Sequence, residues 1–169
     1  MASNAKRTRL LRTVAVTLGL LGLLSCAAVA QKGLLDERDP VSERQQLMKN
    51  QGANFKDLRD KAKAGNFAAI AVNAQNIAFA ARHIPLLFPK GSLGTPEQKS
   101  RAKPEIWQDW DGFIAATTQT RDAALALWEL TKDAEKQPVS AEQVQAAIKN
   151  LAESCKGCHD KFRKPKEQQ

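Results

Sequence analysis

The chain has 169 residues, which is long enough for one domain with a buried core. Hydrophobic residues make up 43% and charged residues 26%, the ordinary balance of a soluble domain. Alanine, leucine, lysine and glutamine dominate and tyrosine is absent, which favours helices over sheets. The formal net charge is +8, but basic and acidic residues are interspersed, so nucleic acid is not expected as a partner.

The N-terminus has the pattern of a secretory signal peptide. An apolar run at residues 14–24 is too short to span a bilayer comfortably and follows four basic residues, Lys6, Arg7, Arg9 and Arg12. Ala28-Val29-Ala30 is an A-x-A cleavage site, so we expect residues 1–30 to be removed and residues 31–169 to form the domain. The alternative is lipidation at Cys26. Without the four basic residues of the signal, 22 basic and 18 acidic residues leave a net charge of +4.

The first predicted helix runs from Pro40 to about Lys63. Asp39 can cap it, and proline suits the first helical position. Its apolar face recurs at helical spacing and includes one basic residue: Val41, Arg44, Met48, Phe55, Leu58 and Ala62.

The second predicted helix is rich in alanine and runs from about Asn66 to Ile84, where Pro85 stops it. Its small residues allow a close approach to another helix, either within the bundle or in a second subunit. Residues 85–104 contain four prolines and two glycines, which predicts a long irregular crossover.

The third predicted helix runs from about Glu105 to about Asp133, and the fourth from Ser140 to about Lys164. Ser140 and Gln143 form a capping box at the start of the fourth helix. No pattern typical of strands competes. Four helices with short, long and short connections predict an all-α, antiparallel four-helix bundle with a long crossover between helices 2 and 3.

The last predicted helix carries the motif Cys155-Lys156-Gly157-Cys158-His159. Both cysteines belong to an apolar face with spacings of four and three, and should point into the bundle. Cys-x-x-Cys-His is the attachment signature of c-type haem. Two thiols three residues apart can reach the two vinyl groups of one porphyrin, and the adjacent imidazole can bind the iron.

Three other interpretations of the two cysteines compete with haem attachment. They are a structural disulfide, half of a zinc site and a thiol redox motif. Zinc needs further ligands, and His83, which we place at a helix end or surface, is the only other histidine or cysteine in residues 31–169. A thioredoxin-like motif needs a βαβ context that the chain lacks.

Three stretches give the chain a resemblance to a known family. They are ERQQLMKNQGANF at residues 43–55, AKPEIWQDWDGF at 102–113 and ESCKGCHDKFRK at 153–164. With these stretches the sequence resembles cytochrome c′, the exported four-helix haem protein of bacteria. The resemblance implies a periplasmic homodimer built through the first two helices. It also implies one covalently attached haem c, with His159 as its only protein ligand.

The resemblance also implies roles for individual residues. Arg44 matches a basic residue near a haem propionate, although it could instead extend its charge from the end of the bundle. Arg163 matches a basic residue beside the proximal pocket, although it could equally complement the negative end of the last helix. Trp107 matches an aromatic residue near the haem edge.

The distal side of the haem depends on Met48. By position this residue is the hydrophobic side chain that crowds the distal face. With Phe55 and Phe162, it would surround the ring with apolar surface. Its thioether could cover a vacant iron position or bind the iron as a sixth ligand, since both forms occur in this fold.

These two forms of the site predict different functions. A five-coordinate haem under an apolar lid would bind nitric oxide or carbon monoxide, a role in nitric oxide binding and protection that is not itself catalysis. A haem with Met48 as sixth ligand would be an electron carrier with transient redox partners. A third hypothesis is a structural bundle with a disulfide and no haem.

Overall fold

Five α-helices and a short 3-10 helix form the part of the chain that the structure, a computed structural model, describes, residues 39–166. The α-helices are α1, Pro40–Lys63; α2, Ile70–His83; α3, Glu105–Gln108; α4, Trp110–Thr131; and α5, Ala141–Phe162. The 3-10 helix, Ile84–Leu87, continues directly from α2. The predicted signal peptide and Cys26 lie outside the described residues.

The two predicted helix starts with capping residues are confirmed. The Asp39 carboxylate accepts hydrogen bonds from the backbone N–H groups of Val41 and Ser42, and Pro40 occupies the first turn of α1. At α5, Ser140 and Gln143 form the capping box, each side chain bonding to the backbone of the other residue.

The second helix begins later than predicted. Gly65 has a φ of 70°, and residues 64–69 form turns, so that α2 starts at Ile70. The side chain of Asn66 accepts a hydrogen bond from the N–H of Ala69. Asn66 therefore stabilises a turn in front of α2 and does not open the helix.

The predicted third helix is interrupted at Asp109, which separates the short α3 from α4. Asp109 has φ −124° and ψ 63°, and its carboxylate accepts a hydrogen bond of 3.1 Å from the N–H of Gly112. A Cβ atom on Gly112 would lie 2.2 Å from the Asp109 carboxylate, so any larger residue here would displace the carboxylate that caps α4. The prediction of one continuous helix was wrong because Asp109 acts as a second N-cap.

The four long helices form the predicted bundle. Helix α2 packs mainly on α4, α4 on α5 and α1 on α2, whereas α1 and α5 share fewer contacts. The buried side chains divide into two clusters. The first, called the α2–α4 core, contains Leu58, Ile70, Leu127, Val144 and Leu151 among others.

The second cluster lies under the crossover and is called the crossover core. It contains Ala81, Ile84, Phe88, Ala102, Ile106, Phe113 and Phe162. Because the crossover supplies Phe88 and Ala102, this long connection is part of the core and does not lie loosely on the surface.

Candidate functional site

A cavity of about 440 Å³ lies between α1, α5 and the crossover. This volume is within the range of cofactor and ligand sites. Its apolar lining comes mostly from the crossover core: Met48, Ile84, Phe88, Ala102, Ile106, Phe113 and Phe162. Its polar lining is Arg44, Gln45, Lys99, Ser100, Arg101, Cys158, His159 and Arg163.

The cavity lies where α1 and α5 make few direct contacts, and a chain of aromatic rings supports one side of it. The ring of Phe113 lies edge-on to Phe88 at 4.9 Å and to Phe162 at 5.3 Å, measured between ring centroids. Edge-to-face packing of this kind holds the rings in defined orientations. The apolar wall is therefore already formed by the protein.

The Cys-x-x-Cys-His motif spans the boundary between the two cores. Cys158 packs against the crossover core and lines the cavity together with His159. Cys155 packs against the α2–α4 core one helical turn earlier and is not among the cavity-lining residues. Both are half-buried free thiols. The inward register predicted for the last helix is confirmed for both cysteines.

Burial keeps the histidine and the cysteine thiol of the cavity neutral. Burial is the main cause that lowers the pKa of His159 to about 4, and the positive charges of Arg163 and Arg101 lower it further. Burial, together with the neighbouring Cys155, raises the pKa of the Cys158 thiol to about 11. The His159 imidazole is therefore neutral at pH 7, as a metal ligand requires.

Arg44 is buried, with 4% of its surface exposed, and it is bonded to the crossover. Its two terminal nitrogens donate to the carbonyls of Leu87 and Leu93 and to the hydroxyls of Ser92 and Ser100, over distances of 2.8 to 3.4 Å. The guanidinium also lies 4.7 Å from the centre of the Phe88 ring. The idea that Arg44 extends its charge out of the bundle was wrong, while its role towards a propionate stays a prediction.

Two cationic residues of the cavity, Lys99 and Arg101, were missed by the sequence analysis. Both belong to the crossover, and Arg101 is half-buried. A local signal exists, because Lys99, Arg101 and Lys103 alternate with small residues just before α3. Nothing in that pattern indicates that it meets the end of α5.

The end of the crossover is joined to the residues after α5 by a short antiparallel bridge between Ala102 and Arg163. Lys103 N donates to Phe162 O at 3.1 Å, and Lys164 N donates to Arg101 O at 2.8 Å. The Arg101 Nε donates to Lys164 O at 2.9 Å. These bonds place Arg101 and Arg163 at the same cavity.

The remaining predicted site residues take different positions. Met48 and Phe162 line the cavity. Phe55 does not line the cavity; like Cys155, it packs against the α2–α4 core. Trp107 also stays outside the lining, and its Nε1 donates to the carbonyls of Phe88 and Pro89 at 3.1 Å. His83 ends α2, with its Nδ1 2.7 Å from Phe79 O, as expected for a helix-end histidine.

The structure gives no support to the competing interpretations of the cysteines. Cys155 and Cys158 are not joined in a disulfide. Within residues 39–166, no group of three or more His, Cys, Asp and Glu side chains is arranged to hold a metal ion. The part of the chain that the structure describes therefore does not supply the ligands that a zinc site needs.

The chemistry of the site fits haem c. The flat apolar ring needs an apolar cavity, and the aromatic and aliphatic wall supplies one. The thiols and the neutral imidazole come from one face of α5, and Cys158 and His159 line the cavity. The propionates need cations, which Arg44, Arg101 and Arg163 bring to it.

Comparisons with known proteins agree with this chemistry. The sequence profile of the family described as Cytochrome C' matches residues 39–163. A cytochrome c′ of Pararhodospirillum photometricum is 32% identical over 125 residues, which cover 73% of this chain and 94% of that protein. A cytochrome c-556 of Rhodopseudomonas palustris is 30% identical over 160 residues, which cover 91% of this chain and 97% of that protein.

A solved structure is similar in fold as well. It is a nitric oxide complex of a mutant of cytochrome c prime from Alcaligenes xylosoxidans, 25% identical to this chain, with a TM-score of 0.62. The match covers 75% of this chain and 95% of that one. Among the helices of residues 39–166, none is long and apolar enough to cross a membrane.

Proposed function

Because the chain belongs to the cytochrome c′ family, whose members carry a covalently attached haem c, we propose that it binds diatomic gases at that haem. The observation that carries the proposal is that Met48 from α1 and His159 from α5 line one apolar cavity. The nitric oxide complex of the similar Alcaligenes protein supports nitric oxide as a ligand. Carbon monoxide is also a diatomic molecule, and it binds ferrous haem iron.

Different residues of the chain would hold the haem and shape the space for the gas. The neutral His159 imidazole is the protein's iron ligand, and Cys155 and Cys158 hold the haem through thioethers. A haem held there would supply a coordination position for the gas. Met48 from α1 lines the same cavity and would crowd the bound gas, and Phe88, Phe113 and the rest of the apolar wall would exclude water and charged ligands. Reversible binding needs no acid or base, so the protein acts as a binder and not as an enzyme.

The second candidate is electron transfer with the Met48 sulfur as sixth iron ligand. The same observation favours it, because a thioether on the cavity wall can bind the iron as well as cover it. A six-coordinate haem would leave no vacant position for a gas. The two functions therefore make opposite predictions for one measurement.

That measurement is the absorption spectrum of the ferrous holoprotein with and without carbon monoxide. We expect a broad high-spin Soret band that sharpens and shifts when carbon monoxide is added. Sharp low-spin bands that do not respond to the gas would refute gas binding and favour Met48 as a ligand. Mass analysis of the same sample, which counts one covalent haem, separates a failure of gas binding from a failure of haem attachment.

We also propose that two copies of the chain form a homodimer through α1 and α2. The alanines of α2 face inwards and are used within the bundle. Three apolar side chains on another face remain 62 to 73% exposed and recur every seven residues: Val72, Phe79 and Leu86. Phe79→Glu should reduce the mass measured by light scattering to that of a monomer, whereas the control Gln145→Glu, at an exposed position of α5 outside the proposed interface, should not.

Export to the periplasm completes the proposal. The basic N-terminus, its apolar run and the A-x-A site at Ala30 support it. The intact mass of the exported holoprotein should correspond to residues 31–169 plus one haem. A mass that includes acyl chains on Cys26 would show a lipid anchor instead.

A further inference from the structure

Gln51 of α1 carries a buried amide oxygen that has no hydrogen-bond partner. Within residues 39–166, its Oε1 is the one buried side-chain oxygen or nitrogen in this state, and its Nε2 makes no hydrogen bond either. Arg44 and Asn73, the buried polar residues of α1 and α2, are both hydrogen-bonded. A buried acceptor without a partner destabilises the folded chain, so its presence at Gln51 needs an explanation.

Gln51 lies at the boundary between the two cores. Three residues before it, Met48 packs against the crossover core, and four residues after it, Phe55 packs against the α2–α4 core. These spacings place the three side chains on one face of α1. On α5 the same boundary falls between Cys158, which packs against the crossover core, and Cys155, which packs against the α2–α4 core. Gln51 and the haem motif therefore lie at the same level of the bundle.

A haem attached to both thiols has to extend across this boundary. Cys158 and Met48 line the cavity, whereas Cys155 and Gln51 lie beyond its wall. The ring must therefore reach from the cavity towards Cys155. The next residue in that direction on the apolar face of α1 is Gln51. It comes to the ring from the α1 side, from which Met48 would crowd the gas.

We propose that the Gln51 amide donates a hydrogen bond to a diatomic gas bound at the haem. A half-turn about the last side-chain bond exchanges Oε1 and Nε2, so the buried end of the amide can present N–H without breaking an existing bond. Carbon monoxide and nitric oxide have an oxygen acceptor and no hydrogen to donate, so the N–H end is the one that suits them. The inference rests on the proposed gas binding, to which it adds one polar contact in an otherwise apolar wall.

The test compares the ferrous carbon monoxide complexes of the unaltered holoprotein and of Gln51→Met, which keeps the length of the side chain and removes both polar atoms. A hydrogen bond to the bound gas weakens its C–O bond, so the infrared C–O stretching frequency should be higher in Gln51→Met. Carbon monoxide should also dissociate about two- to tenfold faster from this variant. The control is Gln46→Met, at an exposed position of α1 where Nε2 donates to Asn50 Oδ1, and it should change neither quantity.

Chemical denaturation separates this role from a structural one. Without gas, Gln51→Met removes a buried unpaired oxygen, so the holoprotein should unfold at the same or a higher denaturant concentration than the unaltered chain. Carbon monoxide should then raise the unfolding midpoint of the unaltered chain by more than that of the variant, because the unaltered chain binds the gas more tightly. A glutamine that only supports the fold would give a less stable variant with and without gas, and this result would contradict the proposal.

The infrared measurement also separates the proposal from the function on which it rests. Equal C–O frequencies in the unaltered chain and Gln51→Met would overturn the role of Gln51 and leave gas binding intact. If neither chain forms a carbon monoxide complex, gas binding is refuted and the hydrogen bond with it. A crystal structure of the carbon monoxide complex of the unaltered chain needs no variant. We expect Gln51 Nε2 within hydrogen-bond distance of the gas, and an amide turned away from the haem would overturn the proposal.

Discussion

Replacement of Met48 by alanine is the most direct test of a distal gate. Complete burial of a methionine side chain is worth about 1.5 to 3 kcal/mol. Met48 is half-buried, so moving it away from the cavity wall should cost about 1 kcal/mol, which corresponds to roughly a five- to tenfold change in rate. If Met48 must move before a gas can bind, Met48→Ala should accelerate carbon monoxide association by about that factor.

The assay is flash photolysis of the carbon monoxide complex of the ferrous holoprotein. Met48→Leu is the first control, because it keeps the bulk and removes the sulfur; we expect its rate to remain near that of the unaltered chain. Leu47→Ala is the second control. Leu47 is half-buried against the crossover core beside Met48 but does not line the cavity, so its truncation should lower stability without changing the rate.

Two results would contradict the gate. If Met48→Ala binds carbon monoxide no faster than the unaltered chain, the methionine does not limit entry. If Met48→Leu changes the spectrum from low-spin to high-spin, the sulfur binds the iron and the electron-transfer alternative is correct. Both results are independent of how stable the variants are, because each is measured on folded holoprotein.

Two further predictions concern the bundle. Leu127→Ala, at a fully buried position, should cost about 2 to 5 kcal/mol in chemical denaturation, whereas Leu125→Ala, at a 39% exposed position of the same helix, should cost less than about 0.5 kcal/mol. The hydrogen bond from Lys161 and then the Gly112 N–H lower the pKa of Asp109, so its stabilising effect exists at neutral pH and is lost as the pH falls below about 4. In Asp109→Asn, the free energy of unfolding should therefore fall less steeply as the pH is lowered below about 4. If the pH dependence of the free energy of unfolding is the same in the variant and the unaltered chain, Asp109 makes no such contribution.

Two helix starts and the haem motif could be predicted because their signals are local. Asp39 with Pro40, and Ser140 with Gln143, bond to backbone groups within one turn of themselves, so spacing alone identifies them. The spacing of Cys155, Cys158 and Phe162 likewise places them on one face of a helix. These features need no knowledge of the rest of the chain.

The break at Asp109 was missed because two local signals conflict there. The apolar periodicity continues through residues 106–113, which favours one helix. The Asp109 carboxylate competes for the Gly112 N–H, and Lys161 of α5 bonds to the same side chain at 2.5 Å. Lys161 is 52 residues away from Asp109 in the sequence. Its contribution to holding the Asp109 carboxylate in the capping position therefore cannot be read from the residues around the break.

The partners of Arg44 and Arg101 could not be predicted for a different reason. The position of Arg44 on the apolar face of α1 indicated that it is buried. Most of the hydrogen-bond acceptors of Arg44 and Arg101, however, are backbone carbonyls, which every residue carries. Leu87 O and Leu93 O accept from Arg44, and Lys164 O accepts from Arg101. Residue types therefore do not identify such acceptors, and only the path of the crossover brings them within reach.

The position of Met48 follows from polar contacts on both sides of it along α1. One turn before it, Arg44 joins α1 to the crossover. Further along, buried Asn73 of α2 donates to Asp57 at 2.9 Å and accepts from Lys61 at 2.7 Å. A rotation of α1 about its axis would break both sets of bonds, and leaving their buried polar atoms unpaired is costly. Residue 48 therefore stays at the cavity although α1 shares few contacts with α5. Another side chain at this position would lie in the same place, because the contacts that fix the rotation of α1 do not involve Met48.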